Sequence, residues 1–258
     1  MMKATTHSPT TATPRLSGGR EDRAHCLTCA IRHQAVCAHC SGPELDLLSD
    51  IKTYREVRSG GSIVAAGERT NFLGSVVEGV AAMSRLLADG RRQVVGLLFP
   101  GDFIGRPFSP VAPFDLTAIT PVRLCTFSRP RFEELVRQMP ALEHRLLEMT
   151  LDELDSAREW MVLLGRKSAQ EKLASFFVLA ARRALRLENR NPIDGMMLEL
   201  PLTREDMADF LGLTIETVSR QIGALRKLGV IELEDARNLV IPNWEALVDA
   251  AGGELEPV

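Results

Sequence analysis

Residues 203–229 read TREDMADFLGLTIETVSRQIGALRKLG, and this stretch decides the C-terminal fold. Thr203, with Asp206 three residues on, has the form of a capping box that opens a helix. Met207, Phe210 and Leu211 give that helix an apolar face. Gly212 supplies a sharp turn, and Thr214 caps a second helix. On the second helix Val218, Ile222 and Leu225 face inward. Glu216, Thr217, Ser219 and Arg220 therefore face outward near its N-terminal end, the end of a recognition helix that enters the major groove. Arg220 can fork onto guanine, Glu216 can accept from a cytosine amino group, and Ser219 can meet a neighbouring base edge or methyl. Beyond Gly229, apolar runs at Val230–Leu233 and Leu239–Ile241 flank the turn Asp235–Asn238, the pattern of a wing.

Upstream, residues 167–188 have helical periodicity, with Leu173, Phe176, Phe177, Ala180 and Leu185 on one side. Arg182, Arg183 and Arg186 lie near the C-terminal end, where cations suit the helix dipole. A helical region opens near Arg131 and lengthens after Pro140, running to about Gly165. Leu147, Thr150, Leu154, Ala157, Met161 and Leu164 recur on it at spacings of three and four, a seam for a twin helix. Leu142, Leu146 and Met149 fall on another face. Two apolar stripes on one long helix need two partners. One broad buried stripe is the plainer alternative; the expectation is a helix shared between its own barrel and a second subunit.

Residues 60–128 have a different texture. Short apolar runs at Ser62–Ala66, Phe72–Val77, Val80–Leu87, Gln93–Phe99 and Val122–Phe127 are separated by glycine turns. Asp89-Gly90 between two such runs predicts a hairpin, and many short strands at this spacing predict a barrel or sandwich. Residues 44–58 read as a short helix leading into a strand, and the proline-rich 106–113 as a surface loop.

The N-terminal region carries the least ordinary chemistry. Cys26, Cys29, Cys37 and Cys40 fall within fifteen residues, and Cys125 is the only other cysteine. Thiolates this close repel one another unless a metal centre neutralises them. Locally, the two C-x2-C pairs suit a compact zinc site as well as an iron–sulfur cluster. His25, His33 and His39 read as solvated loop residues.

Bulk properties set limits. With 258 residues, the chain has room for two domains. The formal charge of −3 leaves no general basic footprint, so any DNA-binding case is local. Residues 1–22 have the composition of a disordered arm and lack the apolar core of a secretory signal. No apolar run approaches the roughly 20 residues of a membrane helix. These features predict a cytoplasmic protein without membrane contact. No phosphate loop, H-E-x-x-H or Ser–His–acid set is present, so an enzyme is not expected.

These residues together resemble the CRP/FNR family of bacterial regulators, over roughly residues 25–245. ETVSR at 216–220 is similar to the recognition helix of the FNR branch, LLFPGDFIG at 97–105 to the roll of the cyclic-nucleotide-binding fold, and the helix after Pro140 to the family's dimerisation helix. The resemblance implies an α+β chain: a disordered arm (1–22), a cysteine-rich segment (23–41), a cyclic-nucleotide-binding-like β-roll (42–139), a dimerisation helix (140–166), a winged helix-turn-helix (167–245) and a tail (246–258). It implies a homodimer on a palindromic operator with half-sites resembling TTGAT, and RNA polymerase as a further partner through exposed loops such as Ala88–Arg92.

Cyclic-AMP-binding members carry Gly-Glu and, later, Arg-Ser. Here those places read Gly101-Asp102 and Phe114-Asp115, so no cyclic nucleotide is expected. Oxygen-sensing members hold a 4Fe–4S cluster on three N-terminal cysteines and one barrel cysteine. By that pattern Cys26, Cys29, Cys37 and, in VRLCTF at 122–127, Cys125 are the ligands, and the alternative is a regulator of the same fold with a structural zinc site or with another redox, nitric-oxide or haem signal. Cys40 is surplus.

Overall fold

The structure is a computed structural model that describes residues 26–186 and 189–253. The arm expected at 1–22, and His25, lie outside them.

The chain passes from a cysteine loop into α1 (Gly42–Ile51), capped by Ser41 and Glu44 in a reciprocal box. Eight strands follow. β1 (Lys52–Val57), β8 (Val122–Ser128), β3 (Phe72–Glu78) and β6 (Phe103–Ile104) form one antiparallel sheet in that order. β2 (Ser62–Val64), β7 (Asp115–Ala118), β4 (Ala81–Leu86) and β5 (Arg92–Leu98) form the other. Ile63, Val76, Leu116 and Leu124, drawn from both sheets, are buried in one apolar cluster between them, giving the expected roll. Asp89-Gly90 turns the β4–β5 hairpin, with Leu86 opposite Arg92 and Gly90 at φ 88°. β6 and β7 were not expected. Two to four residues carry no readable alternation, and only pairing to β3, β4 and β2 makes them strands.

α2 (Arg129–Gln138) and α3 (Pro140–Arg166) are separated at Met139, φ −119° and ψ 95°. The residue before a proline is disfavoured in the helical region, so the break is local and steric. Phe132 of α2 is fully buried, with Phe127 and Phe103 against its ring. Leu142, Leu146 and Met149 of α3 pack into that same cluster, as the sequence predicts.

The C-terminal domain holds α4 (Ala169–Arg186), β9 (Met196–Glu199), α5 (Arg204–Leu211), α6 (Ile215–Lys227), β10 (Glu232–Leu233), β11 (Asn238–Ile241) and α7 (Trp244–Ala250). The wing is a three-stranded antiparallel sheet, β10-β11-β9. Its third strand comes from MMLE at 196–199, just past the loop that ends α4. The boundary expected at 245 falls inside α7. That helix belongs to the domain because Leu247 and Ala251 are fully buried in its core.

The two domains share apolar contacts. Ala82 and Val94 of the β4–β5 hairpin are buried in the same cluster as Phe210 and Leu211 of α5. Trp160 of α3 stacks on Phe210, ring centroids 4.1 Å apart. Arg92 pairs with Asp206 at 3.1 Å and Asp209 at 3.6 Å, and Gln93 Nε2 donates to the Asp209 carbonyl at 2.8 Å.

Candidate functional site

The helix-turn-helix forms as its sequence dictates. Thr203 Oγ1 accepts from Asp206 N–H at 3.1 Å, and Thr214 Oγ1 from Thr217 N–H at 3.2 Å. Between the helices Gly212 takes φ 63°, ψ 41°, a left-handed conformation that costs glycine no Cβ clash. Val218, Ile222 and Leu225 are buried and fix the roll of α6. Glu216 and Arg220 are exposed, and Thr217 and Ser219 half-buried, at its N-terminal end. Glu216 is held below the usual carboxylate range by its own backbone N–H and the Thr214 hydroxyl, which keeps it an acceptor. Arg204, the first residue of α5, reaches Ser219 Oγ at 3.4 Å and adds a cation to this face.

The cysteines converge on a second place. Cys26, Cys29 and Cys37 of the loop and Cys125 of β8 line one cavity of about 30 Å³, closed by Ile31, Val36, Leu48, Tyr54, Ser75 and Phe127. Cys40 does not line it. Its side chain is buried in the apolar cluster with Val36, Leu48 and Phe132. All five thiols are free. Burial pushes the Cys37 thiol up to about 11, against a pull from Arg32. Burial, then Cys37 and Cys26, raise Cys125 further. Two cations temper this repulsion. Lys52 Nζ donates to Cys26 Sγ at 3.0 Å. The Arg32 guanidinium donates to the carbonyls of Cys37, Ala38 and Cys40, tying the loop into one unit.

The chain matches two family models, a cyclic nucleotide-binding domain over residues 54–139 and a Crp-like helix-turn-helix domain over residues 171–250. It is 49% identical over 229 residues to the transcriptional activator protein FnrL of Cereibacter sphaeroides, covering 89% of this chain and 92% of that one. The chain belongs to the CRP/FNR family of DNA-binding transcription regulators. It is also 39% identical over 208 residues to the nitrogen fixation regulation protein FixK of Bradyrhizobium diazoefficiens, covering 81% and 86% of the two chains. The solved structure of FixK2 from Bradyrhizobium japonicum superposes with a TM-score of 0.71 at 31% identity, covering 80% of this chain and all of that one. These relatives are transcription regulators, not enzymes.

In this CRP/FNR-family chain the seam of α3 faces outward. Leu147, Thr150, Leu154, Ala157 and Met161 are exposed, and so are Leu151 and Val162 beside them. Leu164 differs: it is half-buried against the core of the DNA-binding domain and sits at the seam's edge. In the roll, the acidic residues at the two nucleotide positions are tied up. Asp102 accepts from Phe99 N–H at 2.8 Å and pairs with Arg183 at 3.2 Å, and Asp115 accepts from Ala66 N–H at 2.9 Å. The large cavity beside α3 is lined mainly by apolar residues, but it does have cations at its edge, Arg106 and Arg129. Arg106 is exposed. Arg129 is buried and bonds the Thr70 carbonyl and hydroxyl, the Arg106 carbonyl and Glu133.

Several residues of these sites have no signature in the sequence. Gln34 sits inside the cysteine loop, yet its carbonyl accepts from Arg145 of α3 at 2.7 Å, and its Nε2 donates to the carbonyl of Arg186 at the end of α4 at 2.9 Å. The loop thus touches both the seam helix and the DNA-binding domain. Lys52 and Ser75 are buried polar residues on strands. A break in apolar alternation was the one available sign of them.

Proposed function

We propose that this regulator carries a 4Fe–4S cluster on Cys26, Cys29, Cys37 and Cys125 and activates transcription as a dimer while oxygen is absent. One observation supports it above the rest: a cysteine from the roll lines the same cavity as three from the loop, and the fourth loop cysteine, Cys40, does not line it. The donor set fits the group. Four thiols with two neighbouring cations suit a thiolate-anchored, anionic centre. A compact zinc site on the four loop cysteines fits less well, because Cys40 does not line the cavity; zinc held by Cys26, Cys29, Cys37 and Cys125 is the second reading. Among the described residues no three His, Cys, Asp or Glu side chains lie close enough to hold a metal ion, so either centre would require the cysteines to rearrange. The cavity is small, so loading requires the loop to move out from β8.

When bound, such a cluster supplies an oxygen-labile link between loop and roll. The chain's own residues transmit its presence. A centre joining Cys26, Cys29 and Cys37 to Cys125 would keep the loop against the roll, and with it the contact that the loop makes through the Gln34 carbonyl with Arg145 at the start of the α3 seam. Release of the loop takes that partner from Arg145 and loosens the packing of the half of α3 that carries Leu147 and Leu154. The exposed seam supports a second copy as its cover, since a run of large apolar side chains on one helix face is costly to leave in water. The dimer presents two copies of Glu216, Ser219 and Arg220 to a palindrome with half-sites resembling TTGAT.

The roll responds to no cyclic nucleotide in this reading, because Asp102 and Asp115 stand at the two recognition places and the buried Arg129 is bonded within the fold, which leaves the exposed Arg106 as the uncommitted arginine of that cavity among the described residues. RNA polymerase meets the exposed hairpin tip at 88–91. Arg92, the last residue of the loop expected from the sequence, is instead committed to Asp206 and Asp209.

Purification without oxygen, with iron, sulfide and visible absorbance recorded before air is admitted and DNA binding followed after, tests the reading. The expected result is a coloured protein whose operator affinity falls in air. Colourless protein with one zinc per chain and oxygen-indifferent binding overturns it.

A further inference from the structure

The antiparallel register sets three side chains in a row under the cysteine loop. Tyr54 of β1 and Ser75 of β3 both lie opposite Cys125 of β8. Directly opposed residues share a face, so all three point from the sheet toward the loop. Lys52, two residues before Tyr54, falls on that same face.

Ser75 is the odd member. It is 2% exposed, lines the thiol cavity, and its Oγ has no hydrogen-bond partner among the described residues. An unpaired buried hydroxyl costs stability, and native folds seldom keep one without an occupant or a task. The cavity around it is otherwise walled by sulfur and apolar carbon, apart from Lys52 and Tyr54. Lys52 is 7% exposed, and its ammonium already donates to Cys26 Sγ at 3.0 Å. A hydroxyl and an ammonium therefore face a site whose chemistry is sulfur.

We infer that Ser75 and Lys52 are positioning residues that donate hydrogen bonds to sulfur at this site, Lys52 to the Cys26 thiolate and Ser75 to a sulfur of the group held by Cys26, Cys29, Cys37 and Cys125, and so set its reduction potential and its lifetime in air. The inference rests on the reading of those cysteines as iron–sulfur ligands. Donors to cluster sulfurs draw off negative charge and raise the potential. Losing one makes the group easier to oxidise without removing a ligand. Ser75 acts on whichever sulfur lies nearest, and Lys52 acts through Cys26.

The test uses full-length anaerobic protein as wild type, Ser75→Ala, Lys52→Met and Lys52→Arg. Iron and sulfide per chain are measured first, then the midpoint potential, the decay of visible absorbance in air, and the thermal midpoint of the iron-free chain. Ser75→Ala and Lys52→Met should keep iron and sulfide, lower the potential, and speed decay by ~10-fold, the size of one charge-assisted hydrogen bond. Lys52→Arg should stay near wild type. Ser75→Ala should also leave the iron-free chain as stable as wild type or more so, because it removes an unpaired hydroxyl. A packing role alone would lower that stability and leave the potential unmoved. Should Lys52→Met fail to fold, Ser75→Ala carries the test by itself. Wild type without iron and sulfide removes the cluster reading and this inference with it. A loaded wild type whose Ser75→Ala variant matches it in potential and decay overturns the inference alone.

Discussion

Arg145 of α3 holds Gln34 of the cysteine loop: its Nη2 donates to the Gln34 carbonyl at 2.7 Å while Nη1 grips Glu148 at 2.9 Å. One guanidinium thereby spans the loop that carries four of the five cysteines and the helix that carries the seam. Arg145→Ala should leave cysteine chemistry intact but uncouple it from assembly. A hydrogen bond to a charged donor contributes about 1.5–3 kcal/mol. Sedimentation of the anaerobic protein should show a dimer dissociation constant raised by roughly tenfold or more, with iron content unchanged.

Cys125→Ser and Cys40→Ser should behave oppositely. Cys125 lines the cavity with Cys26, Cys29 and Cys37, whereas Cys40 is packed among apolar side chains. Anaerobic Cys125→Ser should lose most of its iron and sulfide. Cys40→Ser should keep both and lose about 1–3 kcal/mol of stability from a buried hydroxyl, read by denaturant titration. Retention of metal by Cys125→Ser, or its loss in Cys40→Ser, would reverse the ligand assignment.

Gly74 is sited where no side chain fits. A Cβ there would lie 2.5 Å from the Cys125 carbonyl oxygen. Gly74→Ala therefore has to displace β8 at Cys125. Overpacking of this kind costs about 1–3 kcal/mol. Thermal unfolding should register that loss, and the same shift should lower iron retention.

Leu154→Glu should abolish dimerisation while sparing the fold. Leu154 is 44% exposed in the single chain, so a charge there meets water until a second copy approaches. Circular dichroism and the thermal midpoint of the iron-free chain should stay near wild type, and light scattering should report a monomer. Loss of structure in this variant would show that the seam packs within one chain.

On the DNA-binding face, Arg220 and Arg204 should separate by specificity. Arg220→Ala should cost about 1–3 kcal/mol on the preferred operator and relax selection at one base pair. Arg204→Ala, removing a cation that lies beside Ser219 on the first helix, should weaken all sequences alike and reduce the salt slope by about 1. Titrations of matched and mutated operators at several salt concentrations distinguish the two patterns.

Much of this protein was legible before its structure. Caps, turn glycines and helical periodicity act over three or four residues, so 203–229 declares its two helices and its outward face unaided. The strand runs of the roll and the double stripe of α3 were readable for the same reason, because side-chain spacing is a local property. Short strands with no alternation, β6 and β7, were not, and neither was α7, whose membership in the core depends on Leu247 and Ala251 finding partners far along the chain.

The sequence alone specified which residue types were present for metal and DNA chemistry and which local elements would carry them. Cys125 and the surplus Cys40 were implied by the resemblance; only the tertiary structure decided that Cys125 lines one cavity with Cys26, Cys29 and Cys37, that Ser75 and Lys52 share that cavity, and that Gln34 lies between α3 and α4. Those are relations between residues tens of positions apart. They arise from strand register and from packing across elements, and both are set by the burial of the whole chain, not by the conformational preferences of any one segment.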